Sequence, residues 1–283
     1  MRRHCIQLSL VLIVASTSAV LPAHSAAADA SDEFVRQIAE LIANPDPEFR
    51  AAALDKVRTS AQGAAHTRTF AAQLPKLDPG AQAALLAALA DRGDAAARPA
   101  VVEVLAASKN EGVRAAALAA LGEIGAAEDL PALVNALSAP SAGEQQAART
   151  ALRRMRGEFV AKTLAADSQT ADLATRAALI ELLAARRAAS EMPALLAASI
   201  DDDARIRSAG MNALGQLAGP EQLAAMIPAV LKAQKGPERD AAERSVAAVC
   251  ARIENEDARA KSLIAAIDGV DVSRRNELLS LAG

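Results

Sequence analysis

Apolar residues recur along this chain in a phase that suits one face of a helix. In RAAALAALGEIG, Leu118 and Leu121 fall four and seven residues after Arg114, and an i, i+4, i+7 spacing puts side chains on a single helical stripe. The phase returns as RAAALDKV from Arg50, QAALLAAL from Gln82, QQAARTAL from Gln145, RAALIELL from Arg176, RSAGMNAL from Arg207, AERSVAAV from Ala242 and RNELLSLA from Arg275, at intervals of 31 to 35 residues. Large apolar residues hold positions four and seven in most blocks: Leu54 and Val57, Leu86 and Leu89, Ile180 and Leu183, Met211 and Leu214, Val246 and Val249. The block from Gln145 departs, with Arg149 at the fourth position and Leu152 at the seventh.

A second apolar segment precedes most of these blocks, as in FVRQIAELIA, RPAVVEVLAA, LPALVNALSA, FVAKTLAA, MPALLAASI, LAAMIPAVLKA and AKSLIAAI. Each repeat is therefore expected to be a pair of helices. Asn44-Pro45-Asp46-Pro47, Asp78-Pro79-Gly80 and Ala139-Pro140 separate first from second helices. Gly93, Gly125, Gly157 and Gly219 follow second helices, where glycine readily takes the left-handed conformation that ends a helix. Pro99, Pro131 and Pro193 stand near the starts of first helices, where a missing N–H costs little; Pro228 lies deeper and predicts a kink or a later start. A single helix pair cannot bury both its apolar faces, whereas stacking gives each pair two neighbours. The expected fold is an all-α solenoid of about eight antiparallel helix pairs, the last incomplete because the chain reaches Gly283 eight residues after Arg275. Leu278, Leu279 and Leu281 would then form an apolar edge open to self-association.

Paired helices, a prolyl turn and second helices that open as GVRAAALAALGEIG or ARIRSAGMNALGQLA resemble HEAT repeats, particularly the short variant of phycobilisome lyases. The resemblance covers roughly residues 32–283. It implies an α-solenoid that binds other proteins, often as a repeat module of larger bacterial extracytoplasmic proteins, with second helices along its concave surface. It also suggests that Arg50, Arg114, Arg176, Arg207 and Arg275 pair with acids of adjacent turns as a ladder; the alternative is a surface for an acidic partner.

Composition agrees with helices: the chain is 52% hydrophobic, but only 1% aromatic, and alanine is the strongest helix former while strands favour β-branched and aromatic residues. The first residues differ. Met1-Arg2-Arg3, the apolar run Ile6 to Leu21, Pro22 and the small residues Ser25 to Ala28 read as a secretory signal peptide. A spanning anchor needs about 20 apolar residues, and this run contains Ser9, Ser16, Thr17 and Ser18. Residues 1–28 are thus expected to be removed, leaving 29–283 as the solenoid in the periplasm or outside the cell, without stable membrane insertion. The mature chain would hold 29 basic against 34 acidic side chains, and nucleic-acid binding needs a basic face and usually stacking aromatics; no nucleic-acid partner is expected.

Catalytic groups are sparse. Cys250, next to Val249 of the stripe, reads as a buried thiol, and His66 as a surface or capping residue with no acid beside it in sequence. Asp201-Asp202-Asp203 lacks the alternating ligands and turn glycine of a calcium loop and reads as a helix cap. No metal, cofactor or catalytic residue is expected. Positions five and nine after each anchor point away from the stripe, which makes Asp55, Thr59, Asp91, Glu123, Thr150, Arg154, Glu181, Asn212 and Gln216 a candidate partner-facing row, set against a solvated face with no partner. The function expected is a non-catalytic protein-binding scaffold; a lyase-like or chromophore-handling protein, or the repeat segment of a larger one, are the alternatives. Mature exported protein should begin at Asp29, and N-terminal sequencing that returns Met1 would contradict the signal peptide.

Overall fold

The second helices form where an Asx residue meets an alanine-rich apolar stripe. The side chains of Asp46, Asp78, Asn110, Asp172 and Asp203 accept from backbone N–H groups of the following turn, satisfying donors that a helix start leaves orphaned. Pro47 and Pro79 add a preset backbone angle just after two of these caps. The computed structural model describes residues 23–275 and Leu278, with side-chain surroundings from residue 32 onward. Among these residues the chain is helical without strands.

The helices pair as α1 (Ala23–Ile42) with α2 (Pro47–Thr59), α3 (Ala64–Ala71) with α4 (Pro79–Arg92), α5 (Arg98–Ala107) with α6 (Glu111–Ile124), and α7 (Leu130–Asn135) with α8 (Ala142–Arg154). They continue as α9 (Glu158–Thr170) with α10 (Leu173–Ala185), α11 (Met192–Ser199) with α12 (Ala204–Leu217), α13 (Leu223–Lys232) with α14 (Pro237–Cys250), and α15 (Glu256–Asp268) with the short α16 (Val272–Arg275). Even-numbered helices pack directly on one another from α2 to α14, so the chain is an all-α solenoid with one continuous core. Leu54, Val57, Leu86, Leu89, Leu118, Leu121, Leu152, Ile180, Leu183, Met211, Leu214, Val246 and Val249 are all buried in it, each such burial being worth about 1.5–3 kcal/mol.

Small residues set the distance between layers. A Cβ on Gly122 would come within 2.6 Å of the Ala151 Cα, and one on Gly210 within 2.6 Å of the Ser199 nitrogen, so α6 meets α8, and α12 meets α11, backbone against backbone. Of the four glycines expected to end second helices, only Gly93 does so in the left-handed conformation, at φ 70°. Gly125 and Gly219 are extended, and Gly157 has φ 113° but opens α9. At Gly125 the need is space instead, because an added Cβ would strike the Leu121 carbonyl oxygen and the Met155 methyl.

Other expectations are corrected. α13 starts at Leu223 and runs through Pro228, so the later start does not occur. Arg275 is the last described residue of α16, and of the stretch expected to follow it only Leu278 is described. Leu278 is buried and does not contribute to an open edge; Leu279 and Leu281 lie outside the described residues, as do positions 1–22 of the expected signal segment, while residues 23–28 begin α1.

Alanine packing gives a direct test. Ala117 is fully buried and Ala116 only partly, so Ala117→Leu should cost about 1–3 kcal/mol by overpacking, and Gly122→Val at least as much, while Ala116→Leu costs less. Thermal melts in which Ala117→Leu is neutral would refute this account of the layer spacing.

Candidate partner-binding face

The residue near the start of each second helix that marks the repeat in sequence is a donor to the carbonyls that end the helix or loop before it. Arg50 donates to the Asn44 carbonyl at 3.0 Å, Gln82 to Leu74 at 2.9 Å, Arg114 to Leu105 at 2.8 Å, Gln145 to Ala139 at 2.8 Å, Arg176 to Ser168 at 2.8 Å, and Arg207 to Asp202 at 2.8 Å. The last carbonyls of a helix have no partner within it, which explains why Gln serves where Arg is absent. In the seventh pair this residue is Arg239, buried and bonded to the carbonyls of Leu231 and Ala233, not Ala242. The apolar stripe repeats every turn, so the sequence phase slipped by one turn; Arg239 also restores a 32-residue interval from Arg207.

Four of these arginines continue into the next repeat. Arg50 lies 3.9 Å from the Asp78 carboxylate, Arg114 2.9 Å from Glu144, Arg176 2.5 Å from Asp201 and Arg207 2.8 Å from Glu238. Each acid sits at or just before the start of the following second helix. Arg275 instead turns back on the Asp268 and Val270 carbonyls and the Asp268 carboxylate. The hydrogen bond from Arg114 to Glu144 raises the Arg114 pKa. Burial opposes the charge on Glu238, but the Arg207 guanidinium and the Gln234 N–H outweigh it and hold the carboxyl below its ordinary range.

A second arginine set had no counterpart in the sequence reading. Arg92, Arg186 and Arg252 follow or end second helices and donate to the carbonyls ending the second helix one repeat earlier: Arg92 to Val57, Ser60 and Ala61, Arg186 to Leu152 and Arg153, Arg252 to Gly215, Gln216 and Ala218. Burial lowers the pKa of Arg92 and Arg186, and Arg92 also lies 5.5 Å from the Phe70 ring centroid. Their irregular spacing, on the second, fifth and seventh pairs, hides them from a periodicity search.

The nine candidate row residues fall on successive second helices. Thr150 is half-buried and the rest are exposed. Charged members other than Asp55, which pairs with the adjacent Lys56, are bridged across layers: Arg58 to Asp91 at 2.8 Å, Arg154 to Glu123 at 3.4 Å, and Arg149 to Glu181 at 3.5 Å. Thr59 donates its hydroxyl to the Asp55 carbonyl. Between α8 and α10 a groove of about 220 Å³ opens, lined by Gln146, Arg149, Thr150, Arg153, Glu181, Leu182 and Ala185.

The remaining chemistry is dispersed. His66 is mostly covered, its Nε2 3.2 Å from the Asp32 carboxylate of α1 and its Nδ1 3.2 Å from the Ala61 carbonyl, so it has an acid partner 34 residues away that the local sequence did not show. Cys250 is buried, which raises its thiol pKa. The three aspartates turn apart: Asp201 to Arg176, Asp202 to Lys232 at 2.7 Å, and Asp203 to the first N–H groups of α12. No group of three metal-ligating side chains converges among the described residues, and no described helix is long and apolar enough to cross a membrane.

HEAT repeats match residues 67–153. This stretch runs from within α3 to within α8 and is similar to HEAT repeats. No curated protein matches the sequence. Among solved structures, human deoxyhypusine hydroxylase in complex with glycerol is similar, with 20% identity, a TM-score of 0.38, and coverage of 80% of this chain and 99% of that one. That protein is an enzyme, which overturns the expectation that this chain is non-catalytic on grounds of its architecture; at such a TM-score the likeness says nothing of what chemistry occurs here.

Depth of burial separates the ion pairs. Arg207→Ala, which strands a nearly buried Glu238 and two carbonyls, should cost about 3 kcal/mol, whereas Arg154→Ala at the surface should cost below about 1 kcal/mol. Because Glu238 is depressed in the folded state, its stabilisation is complete above its ordinary value of 4.5 and is lost as pH falls below it. Urea titrations should show Glu238→Gln less stable at neutral pH and less sensitive to acid than the parent; equal acid slopes would contradict the pairing.

Proposed function

We propose that the chain is an exported bacterial scaffold of short, lyase-like HEAT repeats that holds a protein partner along the outward face of its even-numbered helices. The observation that supports this most is the row from Asp55 to Gln216, which presents exposed polar side chains on six successive second helices of one rigid stack. An alanine-rich surface between them, with Ala87, Ala119 and Ala185 exposed, leaves a shallow track in which a partner's backbone can approach closely. Export through residues 1–28 places the scaffold in the periplasm or beyond, where its single mature cysteine needs no disulfide partner because the fold is held by packing and carbonyl capping.

Photo-crosslinking residues placed at Asp55, Glu123, Glu181 and Asn212 should capture one partner in the native envelope, while the same residue at the Val102 surface of α5 should not. Charge reversal of Asp55, Glu123 and Glu181 should change that capture. Crosslinks that arise equally from both sides of the stack would exclude this face.

A further inference from the structure

The repeat breaks its own rule at one place on this face. Arg149 stands where Leu54, Leu86, Leu118, Ile180 and Met211 stand in other second helices. A guanidinium does not enter an apolar seam without cost; Arg149 turns outward to Glu181. α8 and α10 accordingly make the sparsest contact of any consecutive second-helix pair from α2 to α14, and the groove of about 220 Å³ lies between them. Its donors are uncommitted. Among the described residues, the side chains of Gln146, Thr150 and Arg153 have no hydrogen-bond or ion-pair partner, and the acids nearby, Glu181 and Glu123, already face Arg149 and Arg154.

We infer that this groove receives an extended acidic segment of a protein partner, a partner carboxylate pairing with Arg153 while Gln146 and Thr150 donate beside it. Charge favours that occupant: residues 145–187 carry eight Arg and Lys against four Asp and Glu, in a chain whose net charge is −3. Size favours it too, since the groove falls below the roughly 300–1,000 Å³ of small-molecule sites but accommodates one or two peptide side chains. Leu182 and Ala185 are the apolar part of its lining. Stacking aromatics that hold nucleic-acid bases are missing from the lining. The inference rests on the even-numbered helices being the binding face and names the chemistry of what binds there.

Fluorescence anisotropy of the full chain with a labelled peptide of alternating Glu and Ala tests it, with a Lys-Ala peptide and an oligothymidylate as comparison probes. The Glu-Ala peptide should bind selectively and lose affinity with salt, Arg153→Ala should weaken it roughly fivefold, and Arg149→Leu, which restores the apolar stripe, should narrow the groove and reduce binding while keeping the helical melt intact. Arg58→Ala on α2 should leave binding unchanged. No preference for the acidic peptide, tighter binding of the oligonucleotide, or an unchanged Arg153→Ala would overturn the inference. Envelope crosslinks confined to even-numbered helices but not competed by the Glu-Ala peptide would remove the acidic segment and keep the face; crosslinks away from that face would remove the face itself.

Discussion

The structure depends on how helix ends are satisfied between layers. Each pair turns back on itself, leaving the final carbonyls of its first helix without partners in that helix. A donor in the first turn of the second helix, Arg50, Gln82, Arg114, Gln145, Arg176, Arg207 or Arg239, reaches carbonyls at that helix end or in the loop that follows it. Because the guanidinium has five N–H groups in a fixed fork, four of the arginines also reach a carboxylate of the next repeat. The contact thus sets the fold of one pair and the offset of its neighbour. Glutamine, at the second and fourth of these positions, does the first job but not the second.

Arg92, Arg186 and Arg252 close the other end of the second-helix layer in the same manner. Between these ties the helices pack through small residues. Gly122 against Ala151 and Gly215 against Ser245 bring backbones close, and dispersion between many well-fitted small groups replaces the bulk that aromatic side chains supply in other cores.

The proposed partner-facing surface is a by-product of this economy. Helices that touch through alanine and glycine carry little bulk outward, and the charged residues among them pair across layers. A departure at one position is enough to make a recess: Arg149 interrupts the stripe, α8 and α10 part, and polar donors collect at the gap. Binding is inferred from this surface and not from the fold.

Pattern alone determined a great deal. The i, i+4, i+7 stripe and its recurrence determined the helices, their pairing and most buried residues, because burial on a helix follows from periodicity. Repeating arginines were visible for the same reason, and so was the irregular Arg149. The stripe pointed one turn too far: Val246 and Val249 suit Ala242 as the anchor, whereas four residues after Arg239 stands Glu243, and only the bonds to Leu231 and Ala233 identify Arg239. Gly125 and Gly219 looked like left-handed stops, yet their surroundings ask for extended backbone and, at Gly125, for space. Partners across layers, such as His66 with Asp32, Asp202 with Lys232 and Arg92 with the end of α2, were decided by the tertiary structure. The superposition of one repeat on the next brings residues about thirty positions apart into contact, and a periodic sequence specifies that such contacts exist without saying which atoms meet.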